Sequence, residues 1–579
     1  VQGFDIREFN PKDFGFGSNV TGITNSSSTG YQYYAQRYSM TDDFPFAEIN
    51  VFQLGLYAQD KWTVSDKLNL TLGLRIDVPF FMTDLQSNDK VAAETYRDGI
   101  KIDVSKYPNA KPQFSPRFGF NYKPFDDENG SLQIRGGTGL FTGTPPYVWI
   151  SNQAGNNGVL FGDLNVRAVK DKNDNIISDG RPSLGFTGNM DTYKPAEGSA
   201  TRSDIAITDP DFKYPSLWKS NIAADYKFGD GWVATVELLY SKDINAIYHD
   251  NIGLYRTEQF VNDGGAGNAR PYYNGYYSDR EGNQKAANHV VMLRNTSKGH
   301  SLYTTFQLQK NFVDGILKGL YLNGSYSFGQ SRGVTDGTSS VATSAWKYRA
   351  ALDGNAEEVG YTAGSFDGRL LLSASYTANW SKYAATSFGL IYQRYRPFRY
   401  SYCYNGDANG DSQFSNDLMY IPANFDEVKD HLLPGDFDSQ EDAWKAMNAF
   451  IEQDPYLSKH RGEYAERNGA VAPFANQLDL SVSHDIKIYQ KNGRSHTLRF
   501  SFNIANFLNL LNRNWGVVQT TVLGNQQYQF LTIPKGQGPS AANNYTLKYT
   551  MAKDLDETFK DNLNDVSRWQ MQFGIKYIF

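Results

Sequence analysis

Five oxygen-bearing side chains in the second half of the chain have the types and spacing of a metal-binding loop. Asp407, Asn409 and Asp411 alternate with other residues, and Asn416 and Asp417 follow closely. Carboxylate and amide oxygens at such spacing can converge on one hard cation, and calcium takes six to eight of them. The run therefore predicts a candidate calcium site, whose role would be to stiffen a loop. No organic cofactor is predicted.

Two residues separate this run from an EF-hand, whose first three side-chain ligands it otherwise matches. Ser412 stands where the EF-hand loop has its turn glycine, and Leu418 stands where it has its bidentate glutamate. An EF-hand is therefore excluded. The sequence leaves two alternatives, a calcium loop of another kind completed by Asn416 or Asp417, and a turn rich in Asx hydrogen bonds.

Gly329, Ser331 and Gly333 match the pattern G-x-S-x-G of a nucleophile elbow. That chemistry needs a sharp turn from a strand into a helix and a nearby base. Here the segment ends an alternating strand and enters a polar loop, so we expect a chance match and no enzyme. The seven histidines are scattered without metal-ligand spacing, and a single cysteine, Cys403, cannot form a cysteine-based metal cluster.

The segment 392–400 interleaves arginines with aromatic residues. Such a run can contact a polar substrate through cation–π and hydrogen-bonding groups. It is also the ordinary composition of an aromatic girdle at a membrane interface with solvated charges beside it. The sequence leaves both interpretations open.

The elements that position these residues are strands with a period of two. From Asn69 to Val78, apolar residues occupy every second position and polar residues occupy the others, and 52–59 alternates in the same way. The pattern returns along the chain and predicts about 13 strands, most of about 9–15 residues. Strands of soluble proteins average about 5–6 residues, whereas a tilted membrane-spanning strand needs about 9–11.

Composition supports a membrane-embedded sheet over a soluble β-sandwich. Aromatic residues make up 15% of the chain, with 39 Tyr and 37 Phe, as the girdles of a membrane barrel require. Mean hydropathy is nevertheless negative, which fits a polar barrel interior, and no apolar run is long enough for a membrane helix. The net charge of −6 gives no footprint for nucleic acid.

The connections between strands alternate in length. Short turns are predicted at 64–66, 124–131, 229–231, 312–317, 380–382 and 490–494. Long segments are predicted at about 81–114, 143–216, 250–288, 332–365, 403–473 and 508–566. Outer-membrane barrels have short periplasmic turns and long extracellular loops. One long segment has helical periodicity from Glu441 to Glu452, and we expect a helix within that loop.

Charged residues in the polar register of the strands predict the lining of a lumen. These residues are Arg75, Arg117, Arg135, Asp225 and Glu237. Because successive side chains of a strand point to opposite faces, their apolar neighbours would face lipid.

Strand parity predicts that the chain supplies only part of a barrel. If short turns are periplasmic, both the first and the last of 13 strands descend, and residues 1–50 form an extracellular segment ahead of the barrel portion 51–579. Open sheet edges are not tolerated in lipid. We therefore expect the remaining strands to come from an N-terminal portion outside this chain or from another chain.

Four segments resemble the barrel of TonB-dependent outer-membrane transporters of the Bacteroidetes, their Oar-like branch more than the SusC-like glycan importers. The segments are 56–75, 115–120, 504–516 and the terminal strand 567–579. In the last, Trp569, Phe573, Tyr577 and Phe579 look like the signal read by the barrel-insertion machinery. The resemblance runs from about residue 50 to the end.

The resemblance implies an all-β fold, a transmembrane antiparallel barrel of 22 strands, filled by an N-terminal plug on which a TonB complex pulls. It implies TonB-dependent active transport across the outer membrane of a Gram-negative bacterium. A passive porin or a surface adhesin built on a large barrel is the alternative. Peptides, proteins, oligosaccharides and metal chelates all remain open as substrates.

Overall fold

Thirteen long strands form the largest sheet of the computed structural model. It describes residues 4–8, 32–39, 47–167, 169–170, 176–177, 203–261, 270–489, 495–523, 527–534, 536–540, 545–551 and 557–579. We number these strands β1 (Val51–Ser65), β2 (Leu68–Phe81), β3 (Gln113–Asp127), β4 (Gly130–Thr142), β5 (Ser216–Phe228), β6 (Trp232–Asp243), β7 (Gly299–Asn311), β8 (Leu320–Gly333), β9 (Arg369–Ser381), β10 (Ala384–Tyr395), β11 (Ala475–Tyr489), β12 (Ser495–Ala505) and β13 (Gln570–Ile578).

The sheet is a meander in which each strand pairs with its neighbours in sequence. The order runs from β1 to β13 without a crossover, and every pairing is antiparallel. A two-residue strand, Gly360–Tyr361, pairs with the end of β8. The predicted β architecture, including the strand count, is confirmed.

Short and long connections alternate as predicted. Short turns join β1 to β2, β3 to β4, β5 to β6, β7 to β8 and β9 to β10, whereas the long connections span 82–112, 143–215, 244–298, 334–368, 396–474 and 506–569. The turn predicted at 490–494 lies outside the described residues. In the turn from β5 to β6, Gly231 has φ 79°, and a Cβ there would lie 2.3 Å from the carbonyl oxygen of Asn311. Only glycine fits such a position. Because short and long connections alternate, all six long connections leave the sheet at the same end of its strands, which we call the long-loop end.

One face of the sheet is apolar and exposed. Val236, Phe306 and Tyr326 occupy one rung across β6, β7 and β8, and their exposed fractions are 44%, 48% and 46%. On the next rung, Thr305 and Ser327 share a hydrogen bond of 2.9 Å on the opposite face. A band of exposed large apolar side chains opposite a polar face is the pattern of a sheet in contact with lipid.

The described sheet has two edge strands, β1 and β13. Within the described residues, β1 pairs with β2 alone and β13 pairs with β12 alone. Twelve antiparallel steps separate these strands, so they run in the same direction. The odd number of strands and the parallel direction of the edges agree with the parity predicted from the sequence.

The long connections contain the helices and most of the short strands, whereas the short strands Phe4–Glu8 and Gln32–Ser39 precede β1. The helices are α1 (Asp89–Ala93), α2 (Tyr147–Gly155), α3 (Ala342–Lys347), α4 (Gln440–Gln453) and α5 (Phe507–Leu511). The short strands are Phe4–Glu8, Gln32–Ser39, Phe161–Arg167, Val169–Lys170, Ile176–Ile177, Ser203–Thr208, Ala246–Asn251, Leu254–Val261, Arg270–Tyr276, Ala287–Thr296, Arg399–Tyr402, Tyr420–Ile421, Leu432–Leu433, Glu463–Tyr464, Ala470–Val471, Gln519–Thr521, Gln527–Tyr528, Leu531–Thr532, Leu547–Tyr549 and Phe559–Asp561. Among the described residues, no helix is both long enough and apolar enough to span a membrane.

The largest buried core lies in these connections rather than in the sheet. Side chains from 396–474 and 506–569 pack together, and Val261 and Tyr272 join them from 244–298. Tyrosines contribute much of this core: Tyr400, Tyr402 and Tyr528 are all buried and in ring contact with one another. At the long-loop end, the connections 396–474 and 506–569, together with Val261 and Tyr272, therefore form a packed body of their own, which we call the loop body.

Helix α4 anchors that core and confirms the helix predicted at 441–452. The Ser439 side chain accepts a hydrogen bond from the backbone amide of Asp442 and caps the N-terminus. Two acidic residues follow in the first turn, where they oppose the helix dipole. Met447, Phe450 and Ile451 form the buried face.

Candidate functional site

Three of the five residues predicted to line a lumen meet on the polar face of the sheet. Arg135 Nε donates to Asp225 Oδ2 at 2.9 Å, and Arg135 Nη1 lies 3.9 Å from Glu237 Oε1. The Thr235 hydroxyl donates to the other oxygen of Asp225 at 2.7 Å. Partly exposed pairs of this kind contribute little to stability. Their consequence is a polar surface on which one arginine lies between two carboxylates.

The other two residues of that set lie apart from the trio. Arg75 donates from Nε and Nη2 to the two oxygens of Asp77, at 2.8 and 2.7 Å. The guanidinium of Arg117 lies 4.6 Å from the ring centroid of Phe141. The role of all five residues in lining a lumen stays a prediction.

The loop around Asp407 is held by Asx hydrogen bonds. Asp407 Oδ1 accepts from the amides of Asn409 and Gly410 at 3.1 and 2.6 Å, and its Oδ2 accepts from the amide of Ser412 at 2.8 Å. Asn409 Oδ1 accepts from the amide of Asp411 at 2.9 Å. These contacts are those of the Asx-turn alternative, and they occupy oxygens that a cation would need.

The rest of the predicted calcium set is buried. Asp417 pairs with Arg270 at 3.1 Å, with its other oxygen accepting from the Ala408 amide at 2.8 Å. Burial, together with the charges of Asp417 and Asp407, raises the pKa of Asp411 well above its usual range. Asn409 is also buried.

The amide oxygen of Asn416 is buried, and no donor reaches it within the described part of the chain. Across the same residues, no group of three or more histidine, cysteine, aspartate or glutamate side chains is arranged to hold a metal ion. A cation in this loop would therefore depend on amide and carbonyl oxygens as well as carboxylates. Calcium stays a prediction.

The interleaved segment 392–400 divides between two environments. The guanidiniums of Arg394 and Arg396 lie 4.5 and 4.1 Å from the ring centroid of Phe474, at the base of the loops. Arg399 is buried and pairs with Asp367. The segment thus begins in strand β10 and ends inside the loop body.

The G-x-S-x-G segment lies within strand β8. Ser331 is paired with Ser301 of β7, and its amide donates to the hydroxyl of Ser365 at 2.9 Å. An elbow needs a turn from a strand into a helix. The geometry of a nucleophile elbow is therefore not present at Ser331.

The aromatic residues of the terminal segment are exposed on one face of the edge strand β13. Trp569, Phe573, Tyr577 and Phe579 have exposed fractions of 43%, 65%, 57% and 92%. The Tyr577 hydroxyl shares a hydrogen bond of 2.7 Å with Nδ1 of His496 on β12. Their role as an insertion signal stays a prediction.

A cavity of about 580 Å³ lies among three long connections, 334–368, 396–474 and 506–569. This volume is in the range of small-molecule sites. Four cationic side chains and one carboxylate line it: Lys347, Arg349, Arg399, Arg467 and Asp336. Because all three connections leave the sheet at its long-loop end, the cavity lies at that end.

Two of these arginines are held side by side by backbone carbonyls. Arg349 and Arg467 both donate from Nη1 to the carbonyl oxygen of Val334, and their Nη2 atoms donate to further carbonyls. Burial lowers the pKa of both. Each Nε is buried, and within the described residues it has no acceptor.

The wall of the cavity also contains strained backbone. Ser415 has φ 98° and Asn468 has φ 52°. A serine at such an angle costs of order 1–3 kcal/mol, and residues of this kind cluster at ligand sites. Asp336 accepts hydrogen bonds of 2.8 Å from the Ala363 amide and from Nδ2 of Asn468, which ties two of the connections together.

A second cavity, of about 590 Å³, adjoins the first. Thr335 and Asp336 line both. Its lining also includes Thr142 and Ser216, at the ends of β4 and β5. The two cavities therefore extend from the loop body to the ends of β4 and β5.

A meander of long antiparallel strands with an exposed apolar face defines a transmembrane β-barrel protein. Residues 4–540 match the family described as the outer membrane beta barrel domain, and the chain belongs to this family. The protein lies in the outer membrane of a Gram-negative bacterium. No curated protein matches the chain.

Several solved structures are similar at low identity. The ferric enterobactin receptor PfeA from Pseudomonas aeruginosa shares 10% identity with a TM-score of 0.37, over 95% of this chain and 50% of its own. The siderophore receptor PirA from Acinetobacter baumannii shares 8% identity with a TM-score of 0.37, over 83% of this chain and 47% of its own. The RagAB peptide importer shares 10% identity with a TM-score of 0.29, over 94% and 46%. The chain spans about half the length of these structures.

Proposed function

We propose that this chain forms the membrane-spanning and ligand-binding part of a TonB-dependent active transporter. The observation that carries the proposal is that the long connections fold into a packed body with a polar cavity at the long-loop end of the sheet. A passive pore needs an open mouth, whereas a receptor needs a shaped site at this position. The substrates named for the compared structures differ from one another and do not select one for this chain.

The two outer strands of the described sheet, β1 and β13, determine which partners we expect for this chain. Each unpaired backbone group in lipid costs several kcal/mol, so β1 and β13 need further strands beside them. We propose that these strands, together with a plug that a TonB complex pulls, belong to the same assembly. The ion pairs on the polar face would then line the space around the plug, while the apolar face contacts lipid and the terminal aromatics serve insertion.

Energy dependence distinguishes the transporter from its alternatives. Cells carrying the intact protein are given labelled peptides, oligosaccharides and ferric chelates, with and without a proton uncoupler. We expect at least one ligand to accumulate inside the cells and the uncoupler to abolish that accumulation while surface binding persists. Uptake that is indifferent to the uncoupler would indicate a porin, and binding without uptake would indicate an adhesin.

We also propose that calcium binds the loop 405–417, with Asp411 and the amide oxygen of Asn416 among its ligands. The support is the burial of these groups and the donor-free oxygen of Asn416. A site held at about 100 times its dissociation constant gains about 2.7 kcal/mol. We expect calcium to slow amide exchange in this loop by up to about 100-fold relative to EGTA.

Asp411→Asn should remove the calcium response, whereas Asp438→Asn, a change at an exposed carboxylate in the same long connection, should leave it intact. Exchange that is the same in calcium and EGTA would leave the Asx turn as the whole explanation of the run.

A further inference from the structure

The cavity between the long connections has an excess of positive charge at its wall. Arg399 has a carboxylate partner in Asp367, but within the described residues Arg349 and Arg467 have none within ion-pair distance. Lys347 contacts the ring of Tyr348 at 5.1 Å. Among the described lining residues the one carboxylate is Asp336, which accepts two hydrogen bonds from neutral donors and offsets part of the charge of Arg467. The wall therefore carries more positive than negative charge.

The buried arginines are positioned by the backbone rather than by acids. Arg349 donates to the carbonyls of Val334, Gly354 and Ala356, and Arg467 donates to those of Gly333, Val334 and Gly360. Carbonyl dipoles fix a guanidinium in place but leave its charge unneutralised. Arginine stays protonated at all ordinary pH values.

Glu358 acts on both arginines without pairing with either. Asp353 and Asp250 also act on Arg349, and Asp336 and Glu466 act on Arg467. Of these, Asp353, Asp250 and Glu466 are paired with other arginines. Glu358 accepts hydrogen bonds from the amides of Leu352 and Asp353, and burial raises its pKa. Because Glu358 lies beyond ion-pair distance of both guanidiniums, it offsets only part of their charge. An unneutralised buried charge is costly, and a ligand that brings an anion would remove that cost.

We propose that this cavity binds the anionic group, a carboxylate or a phosphate, of the transported ligand, with Arg349, Arg467 and Lys347 providing the positive charge. Guanidinium groups suit both anions because their planar donors match the paired oxygens of either. The inference rests on the proposed transport function, since it names the substrate class of the site. Ser415, whose backbone has φ 98°, lies on the same wall.

The test uses the intact protein in detergent and isothermal titration at fixed ionic strength, so that general screening stays constant. Citrate is the carboxylate probe, pyrophosphate is the phosphate probe and trehalose is the neutral control. We expect one or both anions to bind and trehalose not to bind. Binding of citrate alone assigns carboxylates, binding of pyrophosphate alone assigns phosphates, and binding of neither overturns the proposal.

Two variants test whether the binding uses this wall. Arg467→Gln should weaken anion binding by about 10- to 100-fold, the loss of a charge-assisted hydrogen bond. Because Arg467 also holds three carbonyls, Lys347→Glu is the second variant: Lys347 is partly exposed, and reversing its charge should weaken binding at least 10-fold. Lys445→Glu, on the exposed face of α4, is the matched control and should bind as the wild type does.

The two proposals fail separately. Anion binding is measured without membrane energy, whereas transport is measured through its response to an uncoupler. Energy-dependent uptake of a neutral ligand with no anion binding would remove only the anion site. Anion binding that Arg467→Gln and Lys347→Glu leave unchanged would also overturn the inference. Anion binding without energy-dependent uptake would leave the site and remove the transporter.

Discussion

Replacement of Arg270 by methionine should open the loop body at 403–421 and increase amide exchange there by about 100-fold or more. Arg270 is fully buried and pairs with Asp417 at 3.1 Å, and its guanidinium lies 5.6 Å from the ring centroids of Tyr404 and Tyr464. Removing one partner of a buried pair costs about 3–5 kcal/mol, because the other charge is left uncompensated. Each 1.4 kcal/mol is a tenfold change in the opening equilibrium.

The local charges increase the expected effect. Without Arg270, Asp417 would remain buried with the charge of Asp411 acting on it, and the repulsion between the two carboxylates would add to the cost of burial. Methionine fills much of the space of the arginine stem, so lost packing is the smaller contribution. The effect therefore reports the charge rather than the volume.

Two further variants define the control. Adding Asp417→Asn to Arg270→Met should restore most of the protection, because neutral groups then replace both members of the pair. Lys445→Met breaks an exposed pair with Asp442 and should change exchange by less than about tenfold. If Arg270→Met left exchange unchanged, or Asp417→Asn failed to restore it, the pair would not be what holds this loop.

The sheet could be predicted from the sequence because its signal is local. Each strand repeats its apolar residues every second position, and the turn at 229–231 carries the glycines that its backbone angles require. Helix α4 was predictable for the same reason, since a serine cap and an apolar face lie within 15 residues of one another. The alternation of short and long connections then predicts the direction in which each strand runs.

The loop body and its cavity could not be predicted, because their contacts join distant parts of the chain. Arg349 and Arg467 are isolated basic residues in two separate connections, and only the fold brings both to the carbonyl of Val334. Asp417 looked like a metal ligand from its spacing, but its charged partner Arg270 lies 147 residues away. Side-chain type and spacing identify what a residue can do, while the choice among partners depends on tertiary structure.

A charge placed on the apolar face of the sheet should impair folding into the membrane far more than the same charge one residue away. Phe306 lies near the middle of β7 and is 48% exposed on the apolar face, whereas Gln307 points to the polar face and donates to Asn323 Oδ1 at 2.7 Å. An arginine facing lipid near the bilayer midplane costs about 2–4 kcal/mol. On the polar face it can be hydrated or pair with carboxylates.

We therefore expect Phe306→Arg to reduce the folded fraction of the intact protein in the outer membrane, and Gln307→Arg to leave it near the wild-type level. The folded fraction is measured from the shift in gel mobility between heated and unheated samples, and urea titration in lipid vesicles gives the free energy difference. Phe306→Leu, which keeps an apolar side chain, separates lost ring packing from the introduced charge. Equal losses in the two arginine variants would mean that the apolar face does not contact lipid, because lipid would penalise the arginine at position 306 and not the one at position 307.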